Sequence, residues 1–325
     1  MKLELTTPPH IRVPDSNGTI MRDTIIAILP IYCLAFFFYG PRVLISAMLS
    51  VGVSVAADSM GILLAGKKIS LSDLSAVITG LIIPLLMPAS VRYGIIIAAD
   101  VFAIWVAKQP FGGLGQNIFN PAAAGVAFVT ICWWKEIFSY PTPGARLPIE
   151  SIITTKMMTS PAFVMKLNGI PQNDYMDMLM GNMAGPMGTT GILVLIACFI
   201  YLVVRKIASL KISGAYFAVV VLIAICFPRA NMTIMQSVLY EFMSGSLLFG
   251  AIFLLNDPAT SPQRDLSRII YGAFTGLVVM LFRRFGKFED GVVFAILFSN
   301  SFVWDVDMIC EKIQRKLRKK VYENR

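Results

Sequence analysis

Histidine is almost missing from this chain: His10 is the only one in 325 residues. A bis-histidine haem or a histidine-rich metal centre is therefore excluded within one copy. Charge is also scarce, at 14% of residues against 56% hydrophobic, with a mean hydropathy of +0.71. That balance excludes an ordinary soluble domain and places the chain among polytopic membrane proteins. Cysteine occurs five times, as Cys33, Cys132, Cys198, Cys226 and Cys310, each alone in its segment. Without a C-x-x-C there is no zinc or iron–sulfur ligand set. No basic stripe interleaved with aromatics exists, so nucleic acid is not an expected partner. The polar, proline-bearing stretch from Met1 to Asp23 does not read as a cleavable signal.

What the chain does have is glycine, proline and methionine, which suit membrane helices packed through small residues. Apolar segments fit to span lie near residues 24–39, 43–65, 73–90, 93–107 and 118–134, then 191–204, 213–228, 240–256, 268–282 and 291–306. The reading is an all-α polytopic membrane protein of about ten transmembrane helices, five plus five. Lys and Arg concentrate on the side of both ends, from Arg12 and Arg22 through Lys108, Arg205 and Arg264 to the tail. The excess of basic residues on that side then places both termini in the cytoplasm. An odd number of spans per half makes the halves inverted repeats. The expected organisation is a cytoplasmic segment 1–23, a first repeat 24–134, an outer loop 135–190, a second repeat 191–306 and a basic cytoplasmic tail 307–325.

The stretch from Leu254 to Gln263 organises this plan. An uncharged run ends in Asn256-Asp257-Pro258-Ala259-Thr260-Ser261-Pro262, where proline breaks the helical ladder and a carboxylate arrives with it. Its echo, 170 residues earlier, is Met87-Pro88-Ala89-Ser90. Paired breaks of this kind point to a site at a repeat interface. Asn117 and Asn120, three residues apart, share one helical face and also make good helix caps. Thr154 to Pro161 and Gly185 to Gly191 give the outer loop hydroxyls and glycines suited to a phosphate or ribityl chain. Asp58 and Asp100 are further intramembrane carboxylates, open to pairing with Lys108, Arg92 or a neighbouring subunit.

Several stretches together resemble the D subunit of the Rnf complex, an ion-translocating ferredoxin:NAD+ oxidoreductase, and the related B subunit of the sodium-pumping NADH:quinone reductase. They are Pro9 to Arg12, Gly115 to Ala122 (GQNIFNPA), Gly181 to Gly188 (GNMAGPMG), Asp257 to Pro262 (DPATSP) and Arg284 to Leu297. The resemblance implies an inverted-repeat fold similar to urea channels, carrying an FMN joined by phosphoester to the outer loop and a noncovalent riboflavin near the cytoplasmic face. By position, the FMN falls on Ser160 or Thr159, with Ser160 preferred and Gly188, Thr189 and Thr190 around it. The riboflavin pocket is expected at Asn117, Asn120, Pro258 and Thr260. Asp257, and Asp307 beside the tail, would couple electron flow to Na+ or H+. The implied partners are other Rnf-type membrane and peripheral subunits, among them an FMN-bearing outer subunit and an NAD-binding cytoplasmic one, with a flavin transferase for maturation. The resemblance also implies a bacterial or archaeal cytoplasmic (inner) membrane. The sequence departs from the family pattern where Thr154 stands for an Asp, Thr159 for an Ala and Ser160 for a Thr, where Gly188-Thr189-Thr190-Gly191 replaces Gly-Glu-Thr-Ser, and where Trp304-Asp305-Val306-Asp307 replaces Pro-Leu-Ile-Asp. The competing reading is a solute channel or transporter of the same inverted-repeat fold with no redox cofactor.

Overall fold

The computed structural model describes residues 17–66, 73–113, 115–150, 156–229 and 231–323. The stretch Pro9 to Arg12, the pair Lys67 and Lys68, and Thr154 lie outside the described residues. The chain is mostly helical. The first group of helices comprises α1 (Asn17–Tyr39), α2 (Arg42–Leu64), α3 (Ser75–Leu85), α4 (Tyr93–Trp105) and α5 (Pro121–Cys132). A connecting region follows, with short helices α6 (Trp134–Ile137), α7 (Pro161–Lys166) and α8 (Tyr175–Met180), and an antiparallel pair of two-residue strands, β1 (Tyr140–Pro141) and β2 (Met157–Met158). The second group is α9 (Ile192–Val204), α10 (Leu210–Cys226), α11 (Ile234–Met243), α12 (Leu247–Phe249), α13 (Asp265–Phe285), α14 (Val292–Asn300) and α15 (Val303–Glu323).

Four of these helical segments are long and apolar enough to cross a bilayer, and up to six are if each bent pair counts once. The bent pairs are α11 with the segment Leu247–Leu254, at 64°, and α14 with α15, at 51°. Four shorter apolar helices, α3, α5, α9 and α10, lie among them. The protein is thus a multi-pass membrane protein. The last apolar segment, read from sequence as 291–306, is broken between α14 and α15, and the boundary with the basic tail at residue 306 falls inside α15.

Small residues set the packing. A Cβ on Gly272 or Gly276 of α13 would lie 2.2 Å from the Ile212 carbonyl oxygen or 2.8 Å from that of Tyr216, so two glycines one turn apart let α13 press onto α10. In the first group α2 packs on α3 and α4, and α4 on α5; in the second α10 packs on α13, and α13 on α14. Contacts between α1 and α9 and between α5 and α14 join the groups. One continuous apolar core runs through both, from Ala27 to Ile296.

The Pro88 break follows α3, and its polar groups are filled. Arg42, buried at the start of α2, donates from Nε to the Ala89 carbonyl (2.8 Å) and from Nη2 to that of Val91 (2.8 Å). Its Nη1 reaches the Pro148 carbonyl (3.2 Å) and that of Glu150. Backbone N–H groups of Met187 and Gly188 donate to the carbonyls of Met87 (3.0 Å) and Leu85 (2.8 Å). An added Cβ on Gly188 would sit 2.5 Å from Leu85 Cβ, so only glycine permits this approach.

Candidate functional site

The second break is built differently. After α12 the helix widens into one π-helical turn, Gly250–Leu254, a local form that recurs at functional sites. Asn256 then turns back on it: its Nδ2 donates to the Ala251 carbonyl (2.6 Å) and to Ser213 Oγ (2.7 Å), and its Oδ1 accepts from the Ser209 N–H (2.9 Å). Asp257 opens a turn in which its Oδ1 accepts from the Ala259 N–H (3.1 Å) and its backbone carbonyl from the N–H groups of Thr260 and Ser261. Thr260 is buried, and its hydroxyl donates to Asp257 Oδ2 at 3.4 Å.

Asn120 meets this turn from the other group of helices. It caps α5, with Oδ1 accepting from the Ala123 N–H (3.1 Å) ahead of Pro121 at the first helical position. Capping and site contact coexist, because its Nδ2 donates to Asp257 Oδ2 (3.2 Å) and to the Leu254 carbonyl (3.4 Å). Asn300, at the end of α14, lies against the same helix start, its amide oxygen accepting from the Asn120 N–H at 3.1 Å.

Between them lies a cavity of about 410 Å³, within the range of roughly 300–1,000 Å³ usual for small-molecule sites. Asn117, Asn120, Asn256, Asp257, Pro258 and Gln263 supply its polar side and the break, while Ile78, Ile82, Ile252 and Phe253 supply apolar wall. Asn117 and Asn120 are nearly buried. Four of the sequence-predicted residues, Asn117, Asn120, Asp257 and Pro258, therefore share one cavity, and Thr260 supports it from behind. Asp307 is adjacent: its Oδ2 accepts from the N–H of Gln263 (3.3 Å), and its Oδ1 is buried with no partner among the described residues.

Sequence reasoning assigned no site role to Lys108, yet its buried ammonium lines this cavity, 3.0 Å from Asp58 Oδ1 and 2.7 Å from Ser75 Oγ. Gln109 Nε2 holds the same Asp58 oxygen at 2.6 Å. The signal for Lys108 was a cation closing an apolar run, four residues before the Gly112-Gly113 pair.

The residues expected around the FMN are dispersed among separate hydrogen-bond partners. Ser160 is buried at the start of α7, accepting from the Phe163 N–H (3.1 Å) and donating to Glu289 Oε1 (2.9 Å). Thr159 is exposed. Burial pushes the Glu289 carboxyl up to about 7, partly offset by hydrogen bonds from Tyr140 and Ser160. Thr189 and Thr190 are buried, with the Thr189 hydroxyl donating to the Pro186 carbonyl (3.2 Å), and Gly188 belongs to the filling of the Pro88 break. Among the described residues no group of three or more His, Cys, Asp or Glu side chains is placed to hold a metal ion.

A multi-pass helical bundle with a broken, π-widened segment and an amide-lined cavity between two helix groups defines a class of membrane proteins with an internal ligand or ion site. The chain belongs to the NQR2, RnfD, RnfE family, which matches residues 4–316. It is 30% identical over 300 residues to the D subunit of the Na(+)-translocating ferredoxin:NAD(+) oxidoreductase complex of Acetobacterium woodii, covering 92% of this chain and 91% of that one. It is 29% identical over 334 residues to the D subunit of an ion-translocating oxidoreductase complex of Haemophilus influenzae, covering 91% and 93%. The corresponding subunit of Shewanella amazonensis is 26% identical over 329 residues, covering 92% and 94%.

Proposed function

We propose that this chain is the flavin-carrying membrane subunit of a redox-driven Na+ or H+ pump, working with other Rnf-type subunits to pass electrons between ferredoxin and NAD+. The observation that carries the reading is the shared cavity, where an amide pair from one helix group meets a carboxylate and a broken helix from the other. Its size, apolar wall and clustered donors and acceptors suit a noncovalent riboflavin ring. A flavin there would supply reversible one- and two-electron chemistry. Asn117 and Asn120 would hold and orient it, while the Lys108 ammonium on the cavity wall is paired with Asp58. Asp257, held by Asn120 and the Ala259 N–H, is the carboxylate that would hold a cation or proton beside a flavin in this cavity, and so would link ion to electron.

The wider plan follows from the same reading. Counting the short apolar helices and the two bent pairs as spans brings the total to the ten read from sequence. The corresponding packing of α2, α4 and α5 in one group and of α10, α13 and α14 in the other supports two inverted repeats. Both termini then face the cytoplasm, and the connecting region 135–190 faces outward and carries a covalent FMN placed by a flavin transferase. Ser160 holds the preferred position, but its hydroxyl caps α7 and faces the Glu289 carboxyl, whereas Thr159 is exposed. A phosphoester on Ser160 needs that cap opened; one on Thr159 does not.

The test is the flavin content of the purified protein, with the denatured chain read by in-gel fluorescence. The reading expects one covalent and one extractable flavin, with the covalent signal lost in Ser160→Ala or, if Thr159 is the acceptor, in Thr159→Ala. A chain carrying no flavin at all would overturn the reading in favour of a cofactor-free solute carrier.

A further inference from the structure

One buried carboxylate remains outside both the cavity and the proposed pump chemistry. Asp100 lies in the middle of α4 and is fully inaccessible to solvent. The basic residues that could have neutralised it are engaged elsewhere: Arg92 pairs with Glu136, and Lys108 with Asp58. Its polar contacts among the described residues are two hydroxyls from α2. Ser50 Oγ donates to Oδ1 at 2.8 Å and Ser54 Oγ to the same oxygen at 3.0 Å, while Oδ2 is buried with no partner among those residues. Ser50 and Ser54 are themselves fully buried.

The spacing is specific. Residues four apart on α2 present both hydroxyls on one face, one turn above the other. Gly80 of α3 packs directly on that turn, where an added Cβ would stand 2.7 Å from Val51 Cα and 2.9 Å from the Ser50 carbonyl oxygen. Four residues further on, Pro84 sits inside α3 with no N–H to return to the Gly80 carbonyl. The nearby Tyr32 hydroxyl is committed to the Leu81 carbonyl (2.7 Å). Two helices, α2 and α4, thus bring together a carboxylate and two hydroxyls beside the α3 turn at Gly80, with no cationic side chain among the described residues bonded to the carboxylate. Packing alone gives no reason for this arrangement, because an uncompensated charge inside a membrane bundle is costly. Hard monovalent and divalent cations favour oxygen donors of these kinds.

We infer that Ser50, Ser54 and Asp100 form an internal Na+-binding site, separate from the Asp257 cavity. The site stands on its own geometry and goes beyond the flavin reading, so it can fail while that reading survives. One monovalent cation neutralises the carboxylate, engages the free Oδ2 and takes the outward lone pairs of both hydroxyls.

The test is equilibrium binding of radiolabelled Na+ to the purified full chain, with choline replacing Na+ at constant ionic strength. Wild type is expected to bind Na+ saturably, and Asp100→Asn to lose one equivalent. Ser54→Ala, which keeps the charge and removes one ligand, is expected to bind that equivalent about tenfold more weakly. It also keeps the test decisive if Asp100→Asn fails to fold. Unchanged Na+ stoichiometry in Asp100→Asn, unchanged affinity in Ser54→Ala, or loss of the only binding in Asp257→Asn would overturn the proposal. So would a wild-type chain that binds no Na+ but shows a protonated-carboxyl infrared band absent from Asp100→Asn, since the site would then take only protons.

Discussion

The Pro88 and Pro258 breaks begin from the same sequence pattern, an apolar helix interrupted by Pro-Ala and a hydroxyl residue, yet they are satisfied by opposite means. At Pro88 a buried guanidinium and two backbone N–H groups of the Met187–Gly188 segment occupy the freed carbonyls. At Pro258 neutral amides, Asn120 and Asn256, do that work and leave a cavity of about 410 Å³ beside a carboxylate. A guanidinium supplies five fixed donors and closes a break with one side chain. An amide supplies two, so more of the surrounding polar surface remains for a ligand. The difference teaches that a proline break marks a possible site, and that the donors answering it decide whether the site is filled from within the chain or left open.

If the Pro88 break is structural, damage there costs stability and leaves the cavity alone. Arg42→Leu removes the donor to the buried carbonyls of Ala89 and Val91 and to the more exposed ones of Pro148, Ile149 and Glu150, and should destabilise the protein by roughly 2–6 kcal/mol, since each buried acceptor left bare costs about 1–3 kcal/mol. Thermal unfolding in detergent, scored with the flavin content of the surviving folded fraction, separates the two effects; unchanged stability would break the comparison.

The loop between α13 and α14, which meets the connecting region at Ser160, adds a pH-dependent contribution. The Glu289 carboxyl titrates near 7 in the fold, above its ordinary value, so the native state holds the proton longer than the unfolded chain. Stability from this group is therefore greatest below the unfolded carboxyl range and falls as pH rises through about 7. Glu289→Gln should flatten that fall, worth on the order of 2–3 kcal/mol between about pH 5 and pH 8. Parallel stability–pH curves for the two proteins would contradict the assignment. Gly188→Ala places a methyl against Leu85 and should cost about 1–3 kcal/mol of stability by overpacking, again with flavin content unchanged.

Much of this was legible in the sequence for a physical reason: membrane spans, proline breaks and paired amides are local signals. Asn117, Asn120 and Asp257 were read as neighbours because the distribution of basic residues assigned their segment ends to one side, and all three line one cavity. Arg42 was missed because an arginine at a helix start reads as a topology signal, and nothing local shows that it turns inward to five carbonyls. Lys108 was weighed only as a partner for Asp58 and Asp100; its place on the cavity wall depends on how α3 and α4 pack. The connecting region was read as hydroxyl-rich loop, and the burial of Ser160 against Glu289, 129 residues away, had no sequence signal at all.

The most direct test of the contrast between the two breaks is the extractable flavin stoichiometry of Asn120→Leu measured beside that of Gly188→Ala. Asn120→Leu removes the amide that touches both Asp257 and the Leu254 carbonyl, and costs about 1–3 kcal/mol of ligand-binding free energy for the lost polar contact. The account predicts that Asn120→Leu assembles, keeps any covalent flavin and loses the extractable one, whereas Gly188→Ala is less stable but retains both. Full extractable flavin in Asn120→Leu, or its selective loss in Gly188→Ala, would contradict it.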